Sequence, residues 1–453
     1  MKKKVILVFC VIFDTVGVFA EDTALKLDLP LFDAPYQIDA MHTVGHGFFS
    51  SYANPSMAQS TALAADMYSG FHYGMKYFYD FSNMHTIVKN SIYYGGTLLG
   101  DYFLTYLPGG DGWMHEEFHR AVMSRHRVNS FNGMNLFPIG ADLVSVSKVR
   151  DEDLIRFKRE SPADFVRMHE AGIESQYLLA SRLQRNNFFY HQNYFNEAVY
   201  WMTIFNAHMY IVSSASPDDV DVSTARMNKA ETDIASRDFT GFDMTAWVYD
   251  LFRPHEPYQD RGPHPSGTGI NRYRTTKDLT NDELDYLKRQ GWWQMVNYLS
   301  PMMFGFRSLP FGNRDIKWNF AFRHMLTSFG TDLSLEMLAT IEKFNFVAAY
   351  HNYQNYEHIF PAIEIEMVDY PLKIGNMDVY VSPRMMLGIQ PKAQNFFTSQ
   401  AEFFGLIGSR VDVQITRHWL PYIEVTAKTN GWVAGNEFLG SAISARLGIS
   451  ARF

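Results

Sequence analysis

The chain holds a single cysteine, Cys10, in 453 residues. It lies in an apolar run, 5–20, that follows Met1-Lys2-Lys3-Lys4 and ends Val18-Phe19-Ala20 before Glu21-Asp22. A basic start, an apolar stretch and a small residue at its end read as an export signal cleaved after Ala20. Asp14 interrupts the run and argues against an uncleaved anchor. A mature chain starting at residue 21 would have no thiol, which excludes disulfides, cysteine chemistry and Cys-ligated metals. Any metal must then be held by histidines and carboxylates. Positive charge is also short: 40 Lys and Arg face 48 Asp and Glu, a net charge of -8. That leaves no basic footprint for nucleic acid. Long uninterrupted apolar runs are missing too. The stretch 88–107 contains Lys89 and Asp101, and 194–214 contains Glu197 and His208, so both read as buried helices rather than membrane spans.

What is present changes character near residue 310. Before it, apolar residues recur at helical spacing over 57–81, 84–106, 112–127, 162–185, 194–213 and 281–299. Asp111 is the expected N-cap of the third of these, after the turn Pro108-Gly109-Gly110. The polar stretch 253–276 reads as a loop, a connector or a lid. After 310 the period becomes two. Ile443, Ala445, Leu447, Ile449, Ala451 and Phe453 alternate with Ser444, Arg446, Gly448, Ser450 and Arg452. Ile363, Ile365 and Met367 alternate with Glu364 and Glu366, and Ile423 and Val425 with Glu424. About eight strands of membrane-crossing length are expected. An alternating strand that ends on an aromatic residue resembles the C-terminal strand of Gram-negative outer-membrane barrels. The expected fold is therefore α+β and multidomain: a signal at 1–20, a helical domain over 21–310, and an antiparallel β-barrel over 311–453. Its apolar face would meet lipid, with Arg446 and Arg452 facing inward towards Glu364, Glu366 and Glu424. A soluble β-domain would alternate in the same way.

The chemistry is concentrated in His115-Glu116-Glu117-Phe118-His119. Histidines four apart on a helix project from one face and can grip one ion. Neutral imidazole suits Zn²⁺, and a catalytic site adds a third protein ligand and keeps a position open to water. Glu116 follows the first histidine and would be the general base for that water. Composition alone would generate this pattern in about three chains per hundred.

The motif resembles that of the HExxH zinc peptidases, and the third ligand separates their branches. A metzincin would have glycine and histidine where this chain has Val122 and Arg125, and His126 falls one residue late. The resemblance to gluzincins implies a glutamate from a later helix, and 168–176 is the best donor. Glu174 is the expected third ligand, with Glu170 as the alternative ligand or as a group orienting a histidine. Ala171 and Gly172 are small enough to let the two helices approach closely. Tyr177, His191, Tyr194 and His208 are candidates for stabilising an oxyanion.

The resulting expectation is a zinc endopeptidase acting on protein or peptide, tethered to the outer membrane and facing the periplasm. Two other readings stay open. One is a non-catalytic outer-membrane protein with a structural or vestigial metal site, closed by a fourth ligand such as His126 or His169. The other is a soluble two-domain hydrolase.

Overall fold

A computed structural model describes residues 25–40, 54–136 and 145–453. The export segment and Cys10 lie outside the described residues. Helix α1, Met57–Phe81, begins with a reciprocal cap in which Ser56 accepts from Gln59 N–H and the Gln59 side chain returns to the Ser56 N–H. Stretch 84–106 divides into Thr86–Asn90 and Gly96–Leu104, joined by a π-turn at Ser91–Gly95. Helix α2, Asp111–Arg125, carries the histidine motif. Gly110 takes its N-cap position, and Asp111 is its first residue, accepting from Gln176 Nε2 at 3.1 Å. A Cβ at Gly110 would lie 1.9 Å from the Leu104 carbonyl oxygen, so only glycine fits this entry.

Helix α3, Pro162–Phe189, is long and almost wholly buried along its first half. Helices α4, Glu197–Ser213, and α5, Asp243–Phe252, pack against it, and α6, Asn281–Trp293, packs on α4 and α5. Stretch 253–276 is a connector pinned by buried ion pairs: Arg261 reaches Asp250, and Arg272 reaches Asp151 at 2.9 Å.

Eleven strands form one large antiparallel sheet, and Phe131–Asn132 pairs separately with Val146–Ser147. The strands of the large sheet are β1, Lys26–Ala34; β2, Leu309–Phe311; β3, Asn313–Thr327; β4, Gly330–Ile341; β5, Phe344–Gln354; β6, Ile359–Val368; β7, Tyr370–Ile374; β8, Met377–Pro391; β9, Ala401–Val413; β10, Trp419–Lys428; and β11, Ala442–Arg452. The hydrogen-bonded order is β1-β11-β10-β9-β8-β6-β5-β4-β3-β2, with β7 on β8. Two differences from expectation follow. The sheet has 11 strands rather than about eight, and its path is not closed into a barrel, since β1 and β2 form its two ends. The extra strands are short or distant in sequence. Strand β1 comes from the N-terminal part and pairs with β11 from Lys26↔Arg452 to Ala34↔Ala445. A bulge between Pro30 and Phe32 interrupts its alternation.

The two faces of the sheet are inverted relative to a soluble sandwich. Ile363, Ile365, Leu387, Ile407, Ile423, Ile443 and Leu447 are exposed, while Glu336, Glu364, Asp412 and Ser450 are buried. The charged face is occupied by α3, where Arg185 pairs with Glu336 and Glu366 at 2.9 and 2.8 Å and Arg182 with Asp28 at 3.1 Å. Arg446 meets Glu424 at 3.0 Å, one of the inward pairs expected from sequence. One hydrophobic core joins helical residues such as Ile173, Trp247 and Tyr286 to Phe329, Tyr353 and Trp432 of the sheet and its loops. Packing is therefore continuous across position 310.

Candidate metal centre

Three elements converge on the motif. Helix α2 presents His115 and His119, α3 crosses it at Gly172, and α5 supplies Asp243 as its first residue. The ligand-capable atoms of His115, His119 and Asp243 all lie within 4.8 Å of one another. Asp243 Oδ2 is 3.1 Å from His115 Nε2 and 3.3 Å from His119 Nε2.

His119 is fixed from behind. Its Nδ1 lies 2.5 Å from the Met168 carbonyl oxygen, which can only accept, so Nδ1 carries a proton. Nε2 then faces the Asp243 carboxylate without a hydrogen bond. Lone pair against carboxylate is repulsive unless a second proton or a cation sits between them. In the absence of an ion, burial would lower the pKa of His119, but the charge of Asp243 prevails and raises it to about 9. Burial lowers the pKa of His115, against its hydrogen bond to Asp243.

Gly172 supplies a second fit to an ion. A Cβ there would stand 2.3 Å from His115 Nε2 and 2.5 Å from His119 Nε2. Those separations are within the reach of a shared metal ligand, and any side chain would fill the space. The close approach of α3 expected at Gly172 is present. Glu174, two residues further, is turned away from the cluster: its carboxylate receives Arg167 at 2.8 and 3.0 Å and the Gly435 N–H at 2.6 Å. Glu170 accepts from Trp432 Nε1 at 3.2 Å. Neither belongs to the group that converges on the histidines.

Glu116 is buried beside the cluster. Burial pushes its carboxyl well above the usual range, the charge of His119 opposes this, and Asp243 and Asp238 add to it. A carboxyl tuned upward suits proton uptake and release near neutral pH. Glu117, its neighbour in the motif, is committed elsewhere, to Arg120 and Asn132 at 2.6 and 2.9 Å.

Among the oxyanion candidates, Tyr177 donates to Gln294 and His208 Nδ1 lies 3.1 Å from the Tyr298 hydroxyl, while the buried Tyr194 packs its ring edge-on to Tyr73. His126 stacks on Phe157, and His169 Nε2 is 2.9 Å from Asp250 Oδ2. Asp243 and the adjoining Tyr210 carry no local signature in the sequence. Asp243 lies 124 residues beyond His119, and its short helix is apolar on most sides. Gly241, at φ +81, and Asp238, which accepts from Gly241 N–H at 3.1 Å, mark the turn that precedes it. An Asp-x-x-Gly turn before an apolar helix is the only cue available. Neither a family model, nor a curated protein, nor a solved structure matches this chain.

Proposed function

We propose that this chain is a metal-dependent endopeptidase held at the outer membrane by its C-terminal sheet. The carrying observation is the convergence of His115, His119 and Asp243, with His119 Nδ1 committed to a carbonyl and a glycine leaving space at both Nε2 atoms. Two imidazoles and one carboxylate are a donor set suited to Zn²⁺ with a position left open. His126 and His169, which could have closed the site, are tied to Asp164 and Asp250. A bound ion would supply a Lewis acid for a water and for the carbonyl it attacks. Glu116 would take the proton from that water and pass it to the leaving amine. Asp243, rather than Glu174, serves as the third ligand in this reading.

The membrane part rests on the inverted sheet. Apolar side chains line its open face, and exposed apolar residues continue through Trp292, Trp293, Met295, Leu299, Phe304 and Phe306. A patch of this extent calls for a covering surface. No helix among the described residues is long and apolar enough to cross a membrane.

Metal analysis of the full chain tests the chemistry. About one Zn²⁺ per chain is expected, lost in His115→Ala and Asp243→Ala and retained in Glu174→Ala. Glu116→Gln should keep the ion and lose several orders of magnitude in peptide hydrolysis. Folded protein with no metal would overturn the proposal. Loss of the ion in Glu174→Ala but not in Asp243→Ala would restore the glutamate as ligand.

A further inference from the structure

Tyr210 lies in the last turn of α4, outside the motif and its helix. Its hydroxyl donates to Asp243 Oδ2 at 3.1 Å and accepts from the Asp243 backbone N–H at 3.2 Å. Its ring meets His115 edge-on with centroids 5.9 Å apart, and stacks on Phe242 at 6.2 Å. One side chain thus touches the acidic member of the cluster twice, one histidine, and the residue preceding the acid. The tyrosine is itself held in place. Its carbonyl oxygen accepts from the Ser214 N–H at 3.0 Å and the Ser214 hydroxyl at 2.7 Å. Thr245 in the first turn of α5 donates to the Ser214 carbonyl at 2.7 Å, which ties the end of α4 to the start of the Asp243 helix. Beyond Tyr210 and the two histidines, nothing among the described residues grips the Asp243 carboxylate.

We propose that Tyr210 is the positioning residue of the metal centre, holding the Asp243 carboxylate against the two histidines before an ion arrives. The inference rests on the metal-centre reading above. A carboxylate at the first position of a helix has two free side-chain torsions, and an ion that had to order them would bind more weakly. The hydroxyl removes that freedom, and its double contact also fixes the α5 backbone that carries the acid. Groups that orient metal ligands in this way typically change affinity 10- to 100-fold when removed.

Cobalt(II) is the probe of choice, because its visible absorption reports the arrangement of its ligands as well as occupancy. The full chain would be titrated with Co²⁺ against a chelator as wild type, Tyr210→Phe and Asp243→Asn. The expected result for Tyr210→Phe is binding roughly 10- to 100-fold weaker with altered visible bands, while the circular dichroism of the metal-free protein stays unchanged and its melting remains cooperative at a somewhat lower temperature. Affinity and spectrum equal to wild type would overturn the proposal. Should Tyr210→Phe fail to fold, a 3,5-difluorotyrosine at position 210 keeps the ring and strengthens the donor. A shift in Co²⁺ affinity and bands then supports the proposal, and identical values overturn it. Wild type that takes up no Co²⁺ would overturn the metal-centre reading and this inference with it. Wild type that binds, with a silent tyrosine change, would overturn this inference alone.

Discussion

Replacing Gly172 by alanine would set a methyl group where both histidine nitrogens point. Helix propensity favours alanine over glycine by about 1 kcal/mol, so the fold should not suffer on that account. Gly172→Ala is expected to abolish metal uptake with helix content unchanged, checked by atomic absorption beside circular dichroism. Uptake equal to wild type would place no ion between the histidines. A second expectation concerns pH. In the metal-free protein the folded pKa of His119, about 9, lies above its ordinary 6.5. The His119–Asp243 attraction therefore contributes fully below 6.5 and disappears as pH rises through about 9. An incoming cation must displace that proton, so its apparent affinity should rise about tenfold per pH unit up to about pH 9 and then level off. Chelator competition across that range tests this, and a flat profile would deny the exchange. The same residues mark how far the sequence could be read. His115, Glu116 and His119 were legible because four-residue spacing on a helix is a local fact. The close approach at Gly172 was legible as well. It conflicts with Glu174 as ligand, because two residues along a helix turn a side chain by roughly 200°. Asp243 and Tyr210 were not legible, since their proximity is created by tertiary packing.

At the level of elements, period and punctuation predicted α1 with its observed bounds, and α2, α3, α4 and α6 to within a few residues at most ends. The ten-residue α5 was missed because Trp247, Val248 and Leu251 are buried along with Met244 and Ala246, which leaves no polar stripe to betray a helix. Strand β1 was missed because its partner lies at the far end of the chain and its bulge breaks the alternation. The loop 429–441 between β10 and β11 could not be anticipated as a clamp. Trp432 reaches Glu170, the Gly435 N–H reaches Glu174, and the Glu437 carboxylate receives the Met57 N–H at the start of α1. A buried side-chain cap of this kind is worth about 1–2 kcal/mol. Glu437→Ala should therefore raise hydrogen exchange in the first turns of α1 by roughly 5- to 30-fold, while exchange in α6 stays as it was. Equal exchange in α1 would show that the loop rests on the helix without stabilising it.

For the whole molecule, the inverted sheet makes a clean test of environment. Leu447 is 47% exposed on the open face. In water, an exposed leucine changed to arginine should cost within about 0.5 kcal/mol. Facing hydrocarbon near mid-bilayer, the same change should cost about 2–4 kcal/mol. Leu447→Arg is expected to impair membrane assembly, read by fractionation and by folding into lipid vesicles. Unchanged stability in both, or wild type found wholly in the soluble fraction, would remove the membrane from the account. The loop clamp has a consequence in time as well. Glu437 lies 380 residues after the helix it caps, and Trp432 lies 262 residues after Glu170. During synthesis such contacts cannot form until the C-terminal part of the chain has been made. A polypeptide emerging from an export channel would present its histidines long before the groups that brace the helix packed against them. On the proposed reading, the centre would gain its last brace only as the final strands pair, so its competence would be tied to completion of the chain.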